Sequence, residues 1–283
     1  MRTRLSLSVR GKRLLRELKR LRDERQMSPE DVAGRLGWHK TKLYRIERGE
    51  SRLILDDLDE LLELYGVRSP ERESLFKLGK EAWKRGWWLA YRDLYQGEGF
   101  FVMENDAAKI SVYASNLLPG LLQTEDYARA SIQAMHETGD PEEMERQLSV
   151  RIERQGILAR EQPPQVLTVL DEAVLRRTVL DTAIHRAQLS RIIELSQSPH
   201  ITIQVVPFTR GIHTGQAGQF TVFEFPDPED PPVAYQEGLF GDVYVEDPSD
   251  VGRYTLAAAR FREKALTPGA SVAFINDLLK ETG

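Results

Sequence analysis

Hydrophobic residues recur at helical spacing in the first part of the chain. In the segment 10–26, three leucines are separated by four and then three residues, which places them on one face of a helix: Leu14, Leu18 and Leu21. Polar and charged residues occupy most positions between them. The pattern predicts an amphipathic helix whose leucine face packs inward.

Two short helices are predicted next, joined by a tight turn. Ser28 is suited to cap the first of them, and Pro29 fits its opening turn. Gly37 is predicted to end this helix, because glycine readily takes the left-handed backbone conformation that often follows helices. The next helix is predicted to start near His39 and to end at Gly49.

Two further helices complete a five-helix unit, one over Asp56–Tyr65 and one from Pro70 to about Lys84. Short helices joined by a glycine turn within such a unit form the helix-turn-helix plan. We assign residues 8–68 to this all-α head and residues 69–100 to a helical linker rich in aromatic residues. Aromatic residues at that density are expected to form core or an interface, and a ligand pocket is the alternative.

The pattern changes after residue 100. Six segments have the alternation or the apolar runs typical of strands: KISVYAS, QVLTVLD, ITIQVVPF, GQFTVFEF, PPVAYQEG and GDVYVED. Helical patterns lie between and after them, including one near the C-terminus with Val251, Leu256 and Ala259 predicted inward. The short connections favour hairpins, so residues 101–283 are predicted to form an α+β domain with a mainly antiparallel sheet.

Charge divides the chain in the same way. The segment 1–52 holds 16 of the 39 basic residues and 7 of the 44 acidic ones, which leaves 23 basic and 37 acidic residues for the rest. A basic head on an acidic body suggests that the head contacts a polyanion such as nucleic acid. The alternative is a basic helix face that contacts only solvent.

The stretch SPEDVAGRLGWHKTKLYRIERGE resembles the lambda-repressor/Cro-like (Xre-type) DNA-binding domain, through its Leu36-Gly37 turn and its closing Arg45–Gly49 segment. In that plan the start of the third helix enters the major groove of DNA. The resemblance implies base contacts from Lys40, Thr41 and Arg45. Glu47 is expected to support the fold through a hydrogen bond or an ion pair.

The predicted interface also includes Lys42, Tyr44 and Arg48, which are expected to contact phosphate and so to fix register rather than sequence. Ser28 belongs to this group because free N–H groups at a helix start favour anions. His39 stands where a small capping residue is more usual in the family, and we include it. The complete predicted DNA-binding set is Ser28, His39, Lys40, Thr41, Lys42, Tyr44, Arg45 and Arg48.

The body resembles the C-terminal domain of many actinobacterial Xre-type regulators, an antitoxin-like domain of unknown molecular function. The segments PGLLQTEDYARA, LDEAVLRR, IQVVPF and GQAGQFTVFEF carry this resemblance. It implies a small partner protein encoded nearby. It implies no catalytic residue.

Motifs for enzyme chemistry are not found in the sequence. The five histidines are scattered, and neither a zinc-protease helix, a nucleophile elbow nor a phosphate-binding loop is present. The segment GIHTGQAGQF is expected to be a hairpin loop, with a ligand-gripping loop as the alternative. Asp171-Glu172 is expected to cap a helix rather than to form a catalytic pair. We therefore expect no enzyme activity, no metal and no cofactor.

The absence of cysteine excludes disulfides, and the sequence shows neither a secretory leader nor a membrane helix, so a cytoplasmic protein is expected. The sequence predicts a DNA-binding transcriptional regulator that binds double-stranded DNA, acts as a homodimer, and senses a ligand or binds a small partner protein through its body. The alternative is an antitoxin-like protein that sequesters its partner and regulates its own operon.

Overall fold

The computed structural model describes residues 9–82, 87–91, 93–94, 99–135, 139–179, 181–213, 215, 218–238 and 241–282. The chain divides into two compact units, Met1–Asp106 and Ala107–Gly283. Parts of the predicted aromatic linker, including Trp83 and Tyr95, lie outside the described residues.

The first unit is helical, as predicted. Its helices are α1 (Val9–Glu24), α2 (Pro29–Arg35), α3 (Lys42–Glu47), α4 (Leu55–Leu64), α5 (Glu71–Ala82) and α6 (Gly99–Asp106), with a 3₁₀ helix at Trp87–Tyr91 before α6. The third helix begins three residues later than the predicted start at His39. The reason is local: the N–H of Lys42 donates to the carbonyl of His39, which makes a tight turn of residues 39–41.

Burial of the apolar stripes holds the head together. The leucines predicted to face inward on α1 are all buried, and they pack with residues of the other helices in one cluster that includes Val32, Leu43, Ile46, Leu58, Leu61, Leu62, Leu75, Leu78 and Ala82. Burying a large aliphatic side chain contributes about 1.5–3 kcal/mol, so this cluster dominates the stability of the unit. Because the cluster includes residues of α5, the head's core extends beyond position 68.

The turn between α2 and α3 depends on glycine. Gly37 has a φ of 66°, and the N–H of Trp38 behind it donates to the carbonyl of Ala33 at 2.8 Å. This is the Schellman arrangement, which satisfies carbonyl groups left open at the end of a helix. Gly49 ends α3 in the same way, with a φ of 67° and a hydrogen bond from Glu50 to Arg45.

The second unit contains a six-stranded sheet in the order β3-β2-β1-β4-β5-β6. The strands are β1 (Lys109–Ala114), β2 (Gln165–Asp171), β3 (Ile201–Val206), β4 (Phe220–Glu224), β5 (Val233–Gln236) and β6 (Val243–Val245), so all six predicted strands are confirmed. β1 pairs with β2, and β2 with β3, in parallel, whereas the other three pairs are antiparallel. The parallel half is connected through helices, since parallel strands cannot be joined by hairpins.

Helices cover both faces of the sheet. They are α7 (Glu125–Met135), α8 (Pro141–Arg154), α9 (Glu172–Arg176), α10 (Thr182–Leu195), α11 (Pro248–Lys264) and α12 (Pro268–Glu281). Alternate residues of a strand point to opposite faces. Accordingly, Leu170 packs in the cluster with α10 and α12, while Val169 packs in the cluster with α11. The predicted α+β class is confirmed.

The inward stripe of α11 differs from the prediction. Val251 is buried, but Leu256 is 52% exposed and Ala259 is exposed. The helix turns Tyr254 and Phe261 toward the sheet instead, where both rings contact Phe220. Packing of these aromatic rings decides which face of the helix is buried, and a short apolar pattern did not reveal it.

Candidate functional site

Helix α3 presents a polar outer face. Leu43 and Ile46 are buried in the head's core, whereas Tyr44, Arg45 and Arg48 lie on the exposed side of the helix. The spacing of the two buried residues therefore determines which side chains α3 presents to solvent. This is the face that the sequence analysis assigned to DNA.

Two cations on or before α3 are not engaged within the described residues. Arg45 is exposed in the middle of α3, and Lys40 is exposed in the turn that precedes it. Neither side chain makes a hydrogen bond or an ion pair to any described residue. Their charges are therefore available to an external anion or to the edge of a base.

Residues 39–41 form the last part of the connection between α2 and α3, so Lys40 and Thr41 precede α3 rather than begin it. His39 and Thr41 are both exposed, and the imidazole Nδ1 lies 3.0 Å from the hydroxyl of Thr41. This contact holds the turn that presents Lys40.

Lys42 is tied into the fold. Its ammonium lies 2.6 Å from a carboxylate oxygen of Asp57 and 3.9 Å from the ring centre of Trp38. The indole N–H of Trp38 donates to Glu60 at 2.9 Å. Asp57 and Glu60 belong to α4, so this group joins α3 and its preceding turn to α4. Lys42 thus has a structural role beside its predicted contact with phosphate.

A second ion pair joins α1 to α3. The guanidinium of Arg22 donates to both carboxylate oxygens of Glu47, at 2.7 and 3.1 Å, and to the carbonyl of Met27 at 2.8 Å. Both charged side chains are nearly buried, and the hydrogen bond to Glu47 raises the pKa of Arg22. The expected supporting role of Glu47 is confirmed, since bidentate pairs fix orientation as well as adding energy.

The remaining predicted contacts have local partners. The hydroxyl of Ser28 accepts from the N–H of Asp31 at 3.1 Å and donates to its carboxylate at 2.7 Å. This capping box lowers the pKa of Asp31 and commits the serine hydroxyl to the start of α2. Arg48 lies 3.1 Å from Glu50 and 5.5 Å from the ring centre of Tyr44, with all three side chains at the surface.

The second unit has a cleft at one edge of its sheet. The loops that follow β1, β2 and β3 enclose about 450 Å³. Its lining includes Ser115, Asn116, Asp171, Phe208, Ile212 and His213. Because the three strands run parallel, their carboxyl ends meet there, and this edge is where open α/β sheets commonly bind ligands.

Three buried polar residues converge beside this cleft. One carboxylate oxygen of Asp171 lies 3.4 Å from both the hydroxyl of Tyr113 and the imidazole Nε2 of His213. The other oxygen accepts from the N–H of Ala173 at 2.9 Å, so Asp171 caps α9 as expected. The imidazole Nδ1 accepts from the N–H of Gly215 at 3.2 Å.

The contact between Asp171 and His213 was not predicted from the sequence. The two residues are far apart in the chain, no short motif links them, and the strand order that brings their loops together had not been established. The sequence predicts a hairpin loop for the segment containing His213, with a ligand-gripping loop as the alternative. The only local signal was a histidine, His213, in a loop between two nearby glycines, Gly211 and Gly215.

Among the described residues, no group of three or more histidine, aspartate or glutamate side chains could hold a metal ion. Within the same part of the chain, no helix is long and apolar enough to cross a bilayer.

Two family models match the chain. A helix-turn-helix domain matches residues 13–75, and a domain of unknown function (DUF5753) matches residues 98–277. Searches of curated proteins and of solved structures give no match. The helix-turn-helix prediction is confirmed at this level. The Xre-type subtype and the antitoxin-like link of the body stay predictions.

Proposed function

The chain belongs to the DUF5753 family, whose model matches more than half of it, and on this premise we propose that it is a sequence-specific DNA-binding transcriptional regulator of the Xre type. In this proposal the helix-turn-helix head binds the operator, and the α+β body controls that binding. The head's basic charge and the body's acidic charge support this division of roles.

The proposal rests on which of the basic side chains around α3 have an acidic partner and which do not. Arg22 and Lys42 are neutralised by Glu47 and Asp57, while Arg45 and Lys40 are exposed and have no partner among the described residues. Paired cations maintain the fold, so the unpaired ones remain for a ligand. A recognition helix uses such residues at base edges, and arginine can donate two hydrogen bonds to guanine.

Contacts to phosphate are proposed for the residues that surround this centre. His39, Tyr44 and Arg48 are exposed on the same turn and helix, and Thr41 is exposed beside Lys40, where a base contact remains proposed for it. Ser28 acts mainly by fixing the start of α2, because its hydroxyl is already used in the cap. Phosphate contacts would hold the head in register while Lys40 and Arg45 reach the bases.

We further propose a homodimer and a regulated body. Two helix-turn-helix heads on a palindromic operator are separated by about 34 Å, one turn of DNA, which requires a dimer of defined geometry. The body is the larger unit and carries the cleft, so it is proposed to receive the regulatory signal, a ligand or a small partner protein.

No catalytic activity is proposed for the chain. The Asp171–His213 pair has the residue types of a general base, but Nε2 of the imidazole faces Asp171 and Nδ1 accepts from the N–H of Gly215. Because Nδ1 already accepts from the backbone, it is not available to take a proton from a substrate.

The test is base discrimination by Arg45. An operator is first selected from random duplexes with the full chain, and affinities are then measured for the operator and its single-base variants. Arg45→Ala is expected to weaken operator binding by about 1–3 kcal/mol and to lose discrimination at one guanine.

Arg68→Ala provides the matched control, because Arg68 is also an exposed arginine of the head but lies outside α2 and α3. It should keep the discrimination at every position. If Arg45→Ala retains the wild-type preference at all bases, Arg45 is not part of the readout and the proposed interface is wrong.

A further inference from the structure

Asp171 lines the cleft with one carboxylate oxygen that is well bonded and one that makes only long contacts. A carboxylate can accept about four hydrogen bonds, and charge-assisted bonds are normally 2.5–2.9 Å long. One oxygen of Asp171 has a good partner in the N–H of Ala173, whereas its other oxygen has only the two contacts at 3.4 Å. A donor that enters the cleft can therefore bind this oxygen without displacing a strong bond.

The neighbouring side chains make only long contacts with this carboxylate oxygen. His213 places Nε2 at 3.4 Å from it, while the Nδ1 of the same ring accepts from the N–H of Gly215. Burial, with a further contribution from Asp171, raises the pKa of Tyr113, so its hydroxyl stays protonated at neutral pH. No lysine or arginine lines the cleft within the part of the chain that the structure describes.

The adjacent acid is already satisfied. Glu172 is buried, and its two carboxylate oxygens contact the guanidinium of Arg176 at 2.6 Å and the N–H of Phe208 at 2.7 Å. It thus positions the loop after β3 without adding an open acceptor. The negative charge available in the cleft is that of Asp171.

The same loop brings apolar surface to the cleft. Phe208 is 57% exposed and Ile212 is 88% exposed, although both are large hydrophobic residues that line the site. Exposed apolar residues beside a buried charge indicate a binding site for a molecule that is apolar at one end and polar at the other.

From this arrangement we infer that the cleft binds small amphipathic amines, with the ammonium group donating to Asp171 and the apolar group lying against Phe208 and Ile212. A volume of about 450 Å³ accommodates a molecule with one ring and a short chain. The inference rests on the proposed function, since it names the class of signal that the body receives.

The probe for this inference is 2-phenylethylamine, compared with two molecules of nearly the same size and a different charge. 2-Phenylethanol is neutral, and 3-phenylpropanoate is anionic. Binding to the full chain without DNA is measured by ligand-observed NMR titration. The amine is expected to bind at least ten times more tightly than the alcohol, and the anion is expected not to bind.

Asp171→Asn removes the charge and keeps a side chain that caps α9 well, so it is expected to fold. It should abolish the preference for the amine over the alcohol. Phe208→Ala should weaken the binding of both the amine and the alcohol several-fold. Leu256→Ala is the matched control, because Leu256 is an exposed apolar residue that does not line the cleft; it should leave binding unchanged.

Equal binding of the three probes, absence of saturable binding by the amine, or an unchanged preference in Asp171→Asn would each overturn the inference. If circular dichroism shows that Asp171→Asn is unfolded, the charge series on the wild-type chain and the Phe208→Ala variant decide the matter. DNA affinity is measured separately, so a failure here leaves the DNA-binding proposal standing.

Discussion

Gln26 adopts a backbone conformation that its side chain disfavours. Its φ is 53°, in the left-handed region, two residues after the end of α1. The N–H of Met27, the next residue, donates to the carbonyl of Arg22 at 3.3 Å. The other helix ends of the head that turn in this way use glycine. Because a Cβ atom costs about 1–2 kcal/mol in this region, Gln26 lowers the stability of the head.

We predict that Gln26→Gly raises the free energy of unfolding of the head by about 0.5–1 kcal/mol. Glycine relieves the strain of the Cβ atom, and part of this gain is offset because glycine has more conformational entropy in the unfolded chain. Urea denaturation followed by circular dichroism would measure the change. Gln26→Ala, which keeps the Cβ atom, serves as the control and should show no such gain. Equal stability of the glycine and alanine variants would contradict this account.

At the scale of single residues, backbone conformation was predicted from the sequence better than the contacts between side chains. The turns at Gly37 and Gly49 were predicted because glycine has a local physical reason to be there. The partner of Glu47 was not predicted, because Arg22 reaches it from another helix. Likewise, His213 and Asp171 meet only through the order of strands, which neither residue encodes locally.

At the scale of elements, α3 depends on its neighbours. It has only six residues, too few for an isolated helix to be stable in water. The pairs Arg22–Glu47 and Lys42–Asp57 tie it to α1 and α4. The late start of α3 was not predicted from the apolar pattern, because that pattern locates buried residues and says little about where helical hydrogen bonding begins.

The Lys42–Asp57 pair is predicted to stabilise the head. Lys42→Met should lower the free energy of unfolding by about 1–2 kcal/mol, because it leaves a carboxylate that is only 12% exposed without its partner. A double-mutant cycle with Asp57→Asn should give a coupling energy of about 1 kcal/mol. A coupling near zero would show that the pair contributes nothing to the packing of α3 on α4.

Arg48→Ala provides the contrast for Lys42, since its pair with Glu50 is exposed and contributes little to stability. This variant should flatten the dependence of log K on log salt by about one unit and leave the unfolding transition unchanged. A salt titration with the selected operator checks the slope. If Arg48→Ala keeps the wild-type slope, Arg48 does not contact phosphate.

At the scale of the whole molecule, periodicity predicted the class of each unit, and the family models match a helix-turn-helix domain and a separate larger domain. The parallel half of the sheet was not predicted. A strand pattern shows which residues are buried but not which way the neighbouring strand runs, and long helical connections are compatible with either direction.

We predict that the head makes the contacts with DNA and that the body holds the dimer together. A fragment ending at Asp106 retains α5 and its share of the head's core. It should bind the operator about a hundredfold more weakly than the full chain, because it lacks the proposed dimer contact of the body. Light scattering should show a monomeric head and a dimeric body. A head fragment with full-length affinity, or a monomeric body, would contradict this division.

The mixed sheet has a consequence for the chain as it is synthesised. β1 is made early, but its antiparallel partner β4 follows roughly a hundred residues later, which corresponds to about 5–20 s on the ribosome. During that interval the growing polypeptide carries one strand edge that nothing in the body yet covers, and open edges recruit other chains. Lys109 lies on that edge and meets Glu224 only when β4 arrives. A lysine on an open strand edge disfavours pairing with another chain. Lys109 is therefore suited to keep the unfinished protein apart from other copies until β4 arrives.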